Sequence, residues 1–208
     1  MYCNVNFVCI ETIVRASHNL NKVEEIQMLL GNQFHVIPQQ TFDIPPIEET
    51  GSTFQENALL KAKTVFDITG LPVIGDDSGL EVAALDNQPG VYSSRFAGAN
   101  ASDDDNIDKL LRAMHNIPST KRSARFRCVV AFLGARSLDQ PIFFEGEWIG
   151  YIANKRTGKN GFGYDPIFVD LQSELTAAEL NSDQKNKISH RGKAIQSLKY
   201  YLATSGKP

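Results

Sequence analysis

The sequence predicts an α/β fold built on a mixed β-sheet. Strand-like and helix-like stretches alternate early in the chain, as in folds where helices connect parallel strands. Two longer strand-like runs, at 124–133 and 142–152, then stand side by side and add a different kind of pairing. With 42% hydrophobic residues, the 208-residue chain can bury a sizeable core as one domain or two closely joined lobes. No repeat, low-complexity run or linker divides it, so residues 1–208 read as a single domain.

Residues 1–10 read as a ragged extension before the first strand, which covers 11–16 although Arg15 interrupts its apolar run. Ser17-His18-Asn19 is a turn in which Asn19 suits a helix N-cap. The helix behind it gathers Val23, Ile26, Leu29 and Leu30 on one face and stops at Gly31-Asn32. A short strand at 34–37 precedes a loop that holds Pro45, Pro46 and Glu48-Glu49-Thr50-Gly51. Thr53-Phe54-Gln55-Glu56 has the form of a capping box. The following helix turns Phe54, Ala58, Leu59, Ala62, Val65 and Phe66 inward and sets Asn57 and Lys61 together on another face.

Residues 71–74 read as a buried strand that ends in a turn at Gly75-Asp76-Asp77-Ser78-Gly79; Leu80, Val82 and Ala84 then alternate as a half-buried strand would. Pro89-Gly90 is a turn. Ser102 caps a third helix with Asp103, Asp104 and Asp105 in its first turn, where the helix dipole favours negative charge, and Ile107, Leu110, Leu111 and Met114 form its apolar face. Past the two long strands come a Gly-rich loop at 158–165 and a second capping-box pattern, Thr176-Ala177-Ala178-Glu179. The last helix begins near Ser189 and buries Ala194, Ile195, Leu198 and Leu202.

A formal charge of −3 and a pI near 5.8 give no basic face for nucleic acid and none for a membrane surface. No apolar run approaches the length of a membrane span. The N-terminus lacks the shape of a signal peptide, since its first basic residue is Arg15 and Asn4, Asn6 and Glu11 interrupt the apolar residues. Cys3, Cys9 and Cys128 show neither pairing nor metal-ligand spacing, which points to a reduced, cytosolic setting with Cys128 as a small strand hydrophobe.

Asp76 and Asp77 are the most informative residues. A carboxylate directly after an apolar strand is partly desolvated, and two like charges there repel unless a cation compensates. The bracketing glycines let the backbone turn and a ligand approach. Mg²⁺ carrying phosphates answers that charge, because it takes one or two protein carboxylates and completes its shell with water and substrate oxygens. Asp77 and one glutamate of the Glu48-Glu49 pair would supply them, although on its own that pair also reads as a solvated acidic loop.

Ser17-His18-Asn19-Leu20-Asn21-Lys22 joins a strand, a polar turn and a helix start with a lysine, the ingredients of an anion site. An ordinary capped helix with an exposed lysine fits the same residues, and the spacing is not that of a P-loop. In the run 155–166, glycines accompany Phe162 and Tyr164, either of which could stack on a base, or the loop is packed by its own aromatics. Ser189-His190-Arg191-Gly192 sets His and Arg against the helix dipole, with Lys185 just before. That placement suits a nearby anionic or carbonyl-bearing ligand, or a satisfied surface cluster.

Seven segments, in order, resemble one family: Ser17-x-Asn19-x-x-Lys22, Glu48-Glu49-Thr50-Gly51, Asn57-Ala58-x-x-Lys61-Ala62, Asp76-Asp77-Ser78-Gly79-Leu80, Pro89-Gly90-Val91-Tyr92-Ser93-Ser94-Arg95, Gly161-Phe162-Gly163-Tyr164-Asp165-Pro166 and Ser189-His190-Arg191. The chain is similar over about 12–203 to the inosine/xanthosine triphosphate pyrophosphatases of the Ham1/RdgB type. The resemblance implies a long central mixed sheet flanked by helices, with an active-site cleft between two lobes, in a cytoplasmic homodimer. It implies Mg²⁺-dependent hydrolysis of ITP, dITP and XTP to monophosphate and pyrophosphate, which cleanses the nucleotide pool. By the same resemblance Asp77 would be the catalytic residue and a metal ligand, and Glu48 the other metal carboxylate with Glu49 its nearest competitor. Ser17, His18, Asn19, Leu20, Asn21, Lys22 and Lys61 would hold the triphosphate, Ser78 would sit beside phosphate or sugar, and Arg95 would approach the ligand. Phe162, Gly163, Tyr164, Asp165, Lys185, His190 and Arg191 would shape the base pocket. Two departures stand out: Ser17-His18-Asn19 replaces the family's usual Thr-Gly-Asn, and Arg15 replaces an apolar strand residue. A Maf-like pyrophosphatase for other modified nucleotides, or a nucleotide-binding module without turnover, are the alternative readings.

Overall fold

The computed structural model describes residues 11–134 and 140–204; the expected extension at 1–10, with Cys3 and Cys9, lies outside them. Among the described residues the sheet has six strands: β1 (Glu11–Arg15), β2 (Phe34–Pro38), β3 (Val73–Val82), β4 (Ser123–Leu133), β5 (Ile142–Ile152) and β6 (Phe168–Asp170). Their spatial order is β2-β1-β3-β4-β5-β6. β1 runs parallel to both β2 and β3, and β3 through β6 pair antiparallel in succession, so the sheet is mixed as expected.

Helix α1 (Leu20–Leu30) connects β1 to β2, and α2 (Phe54–Thr69) leads into β3. Helix α3 (Asp103–Ala113) lies between β3 and β4, and α4 (Ser182–Ile188) and α5 (His190–Thr204) close the chain. On one sheet face α1 and α5 pack over Ile13, Ile74, Cys128 and Val130 through Ile26, Leu30, Ala194 and Leu198. On the other, α2 packs Ala58, Ala62 and Val65 against Val14, Val73, Val129 and Ala131. The apolar side of α3 joins Phe126, Trp148 and Phe168 in a third cluster. The caps that start these helices are those the sequence announces: Asn19 Oδ1 accepts the Lys22 N–H at 3.3 Å, and Thr53/Glu56 and Ser102/Asp105 form capping boxes. No helix among the described residues is long and apolar enough to cross a membrane.

The largest departure concerns β3. It does not turn at Gly75-Asp76-Asp77-Ser78-Gly79 but runs unbroken from Val73 to Val82, and Ala84 falls in a short 3₁₀ turn beyond it. The glycines serve close approach instead. A Cβ at Gly75 would lie 2.4 Å from the Ala58 carbonyl oxygen of α2, and one at Gly79 2.4 Å from the carbonyl oxygen of Gly90. Thr176–Glu179 also fails to start a helix. Glu179 accepts from the Thr176 N–H and hydroxyl at 2.8 and 2.9 Å, but the chain stays in a turn, and the box that works is Asn181/Gln184 ahead of α4. Neither α4 nor the three-residue β6 was expected from the sequence.

A straight β3 changes what its two acids mean. Successive side chains of a strand point to opposite faces, so Asp76 faces α1 and α5 while Asp77 faces α2. The parallel ladder between β1 and β3 stops where the Ala16 N–H donates to the Ile74 carbonyl at 2.9 Å. Past that point the β1-side edge of β3 has lost its partner strand, so a ligand at the edge can reach side chains of both faces. It is also the place where the connections from β1 and β3 diverge, the usual site for ligands in open α/β sheets.

Candidate active site

On the α2 face, Asp77 is buried and its Oδ2 accepts from Asn57 Nδ2 at 3.0 Å. Its Oδ1 accepts the Ser78 N–H at 2.9 Å and lies 3.8 Å from Lys61 Nζ. Lys61 also closes on Glu49 Oε1. Asn57 and Lys61 are four residues apart, so one face of α2 presents both to β3. Arg95 holds Glu49 in place, with its guanidinium 3.4 Å from Oε2 and donating to the Glu49 carbonyl at 3.2 Å. The Lys61 ammonium therefore lies between two carboxylates contributed by different elements.

Burial pushes the Asp77 carboxyl above its ordinary range; Lys61 opposes the rise and Glu49 adds to it. Burial also acts to raise Glu49, but Lys61, then Lys22 and Arg95, outweigh it and hold that carboxyl lower. Among the described residues no set of three or more His, Cys, Asp or Glu side chains converges as a metal cage. Two carboxylates fit a hard divalent cation that fills the rest of its shell with water and substrate oxygens.

On the opposite face Asp76 is fully buried and meets three cations. Arg15 pairs with its Oδ1, Arg191 Nε lies 3.3 Å from its Oδ2, and Lys22 Nζ stands 4.0 Å from the same oxygen. Arg191 also donates to Glu25 Oε2 at 2.7 Å and to Ser78 Oγ at 2.9 Å. Burial and then Arg191 lower the Arg15 pKa to about 9. Burial, then Arg191, Lys61 and Arg15, bring Lys22 down to about 7. Lys22 is thus the most loosely held of the three, on the first turn of a helix whose free N–H groups also suit an anion.

The free edge of β3 borders a cavity of about 160 Å³, walled in part by Asn19, Lys22, Ser78, Phe162, Lys185, His190 and Arg191. Lys185 Nζ lies 5.0 Å from the Phe162 ring centroid, and the Arg191 guanidinium carbon 5.7 Å from it. Lys185 pairs with Asp165 at 2.5 Å, and Asp165 accepts the Phe162 N–H at 2.9 Å, so the loop is braced from within. Burial raises the Asp165 carboxyl against the pull of Lys185. Tyr164 donates to the Ser93 carbonyl at 2.9 Å across the cavity. His190 stacks on Phe126 with ring centroids 4.7 Å apart. Its Nδ1 is buried without a hydrogen-bond partner, and burial holds its pKa well below the usual value, so the imidazole is neutral. An aromatic slot with polar groups on its walls suits a flat heteroaromatic ring.

The structure gathers most of the residues expected from the sequence, with distinctions. Glu48 is exposed, whereas Glu49 turns inward to Lys61 and Arg95. Asp76 and Asp77 do not share one cation as a side-by-side pair but have separate partners on two faces. Ser17 Oγ accepts the Asn19 N–H at 3.1 Å. His18 Nε2 bonds the Ile44 carbonyl at 2.9 Å, which ties the turn to the loop carrying Glu49. Leu20 and Asn21 lie in the first turn of α1, and their side chains fall outside the description. Arg95 reaches Glu49 rather than open space, and Ser78 lies on the Asp76 face beneath Arg191.

Three further residues take part that the sequence does not single out as site residues. Glu25 anchors Arg191, and its spacing of three from Lys22 on α1 was the available signal. Asn57 orients Asp77, and sequence pairing with Lys61 pointed to it. Asp103, read as a dipole-favoured helix start, accepts the Gly163 N–H at 2.6 Å and so ties α3 to the 158–165 loop.

Comparison with known proteins agrees with this picture. The sequence pattern of the Ham1 family matches residues 13–201. A Coxiella burnetii relative named dITP/XTP pyrophosphatase is 49% identical over 191 residues, 91% of this chain and 96% of its own. A Vibrio cholerae relative of the same name is 49% identical over 187 residues, 89% of this chain and 94% of its own. The solved structure of a HAM1 protein from Coxiella burnetii superposes with a TM-score of 0.85 at 48% identity, covering 93% of this chain and 99% of that one.

Proposed function

The chain belongs to the Ham1 family, and from that footing we propose that it hydrolyses non-standard purine nucleoside triphosphates, ITP, dITP and XTP, to the monophosphate and pyrophosphate with Mg²⁺. The observation that carries the reading is the Lys61 ammonium lying between Glu49 and Asp77 on one face of β3, with Lys22 on the wall of a cavity that reaches Ser78 and Gly79 of the same strand. The names of relatives nearly 50% identical support the substrate class.

Glu49 and Asp77 are the carboxylates that would hold Mg²⁺, with Lys61 shifting toward the phosphates. Bound there, the ion supplies Lewis-acid charge at the phosphorus under attack. Asp77 is the base that takes a proton from the attacking water, and Asn57 fixes its orientation. Lys22 and Lys61 neutralise charge growing on the departing pyrophosphate, which is most of what phosphoryl transfer asks of a protein. The Arg191 fork is engaged by Asp76, Glu25 and Ser78, so reading of the 6-keto oxygen falls mainly to Lys185, His190 and backbone N–H groups. Adenine would leave such donors unpaired, which costs strongly in a buried site.

The same reading makes the protein a cytoplasmic homodimer that acts on free nucleotides rather than on nucleic acid. Chromatography of ITP products with and without Mg²⁺ tests it. IMP plus pyrophosphate, formed only with the metal, is the expected result; IDP plus phosphate, or no turnover, refutes it.

A further inference from the structure

Arg15 has no place in the chemistry above, yet it is fully buried at the end of β1. Its guanidinium pairs with Asp76 Oδ1 and donates to the Ala16 carbonyl at 3.3 Å. Burying an ion pair is weak evidence of stabilisation, because apolar side chains of similar volume often do as well. The charge calls for another reason. Around Asp76, three cations (Arg15, Lys22 and Arg191) face two carboxylates (Asp76 and Glu25), leaving one positive charge in excess. Both oxygens of Asp76 are already met by guanidinium groups, one by Arg15 and the other by Arg191. Lys22 Nζ is left at 4.0 Å, beyond hydrogen-bond reach, on the wall of the cavity.

We propose that Arg15 is a positioning residue for anion binding: by occupying Asp76 it keeps the Lys22 ammonium off that carboxylate and available to the substrate's phosphates. The proposal rests on the triphosphatase reading of the site. Without Arg15, Asp76 has one guanidinium fewer, Lys22 falls onto it as the nearest replacement, and the cavity loses a positive charge. Both consequences weaken phosphate binding and neither touches Asp77.

The test is steady-state release of pyrophosphate from dITP by the full-length enzyme. Arg15→Met should raise KM about tenfold with kcat within about twofold, the pattern of lost binding rather than lost chemistry. Arg15→Lys, which restores a charge for Asp76, should recover most of the difference. In a Lys22→Gln background Arg15→Met should move KM less than about twofold, because the two residues act through one contact. A wild-type KM in Arg15→Met, a fall in kcat alone, or an equally large effect in the Lys22→Gln background overturns the proposal. Should Arg15→Met lack a cooperative thermal transition, Arg15→Gln takes its place. If the wild type releases no pyrophosphate, the functional reading fails on its own, and the Arg15 claim is judged by calorimetric binding of inorganic pyrophosphate, where the same pattern across variants is expected.

Discussion

The two faces of β3 carry the same residue type one position apart and use it differently. Asp76, on the α1/α5 face, is fully buried and surrounded by Arg15, Arg191 and Lys22, an environment that fixes it in place. Asp77, on the α2 face, has Asn57 and a shared Lys61, and burial raises its carboxyl. One acid anchors an array of cations and the other shares a single lysine with Glu49. The lesson is that a face with one cation in excess lies back to back, across a single strand, with a face whose two carboxylates, Glu49 and Asp77, are matched by Lys61 and Arg95, and that the two meet at the edge left bare where β1 ends. Phosphates would answer the excess on the first face, and a divalent cation would take the place of Lys61 between the carboxylates of the second.

The sharpest way to break that contrast is Asp77→Asn. It should lower kcat for dITP by about 10³-fold while the protein stays folded, read by pyrophosphate release and thermal melting. Asp76→Asn should do the reverse. Stripping the anion from two buried guanidinium groups should cost about 3–5 kcal/mol in urea unfolding, well before any effect on chemistry is considered. The neighbouring glutamates give a second contrast: Glu49→Gln should lose about 10²-fold in kcat/KM, whereas Glu48→Gln, exposed and turned away, should stay within about twofold.

Gly75→Ala tests the packing that holds α2 against β3. A Cβ would meet the Ala58 carbonyl oxygen at 2.4 Å and the Ala62 nitrogen at 2.7 Å, and the backbone on both sides cannot yield cheaply, so a loss of about 1–3 kcal/mol is expected in urea unfolding. A further effect is one of pH. The Lys22 pKa is lowered in the fold from 10.5 to about 7, so its stabilising contribution is present above 10.5 and is lost as pH falls through about 7. Lys22→Met should therefore be more stable than wild type below about pH 7, with the gap closing toward 10.5, in a pH series of unfolding curves.

Much of this was legible in the chain because local rules were obeyed. Caps at Asn19, Thr53 and Ser102 began the helices they announced, and the second long strand matched its observed limits, Ile142–Ile152. The Asn57–Lys61 spacing placed both on a common face. What stayed hidden depended on tertiary contact. Gly75 and Gly79 resembled turn residues, because sequence does not distinguish a glycine needed for a bend from one needed to admit a neighbouring backbone. Arg15 looked like a flaw in a strand until Asp76 was seen beside it. Which glutamate of the 48–49 pair turns inward was set by Lys61 and Arg95, neither of them near in sequence.

The central claim is that Glu49 and Asp77, and not Glu48, form the metal side of the site. Electron paramagnetic resonance of Mn²⁺ bound in the presence of inorganic pyrophosphate measures this directly on the wild type and three variants. The account predicts that Glu49→Gln and Asp77→Asn each weaken Mn²⁺ binding about tenfold or more while Glu48→Gln binds as the wild type does. Wild-type binding in Glu49→Gln, or its loss in Glu48→Gln, would contradict it.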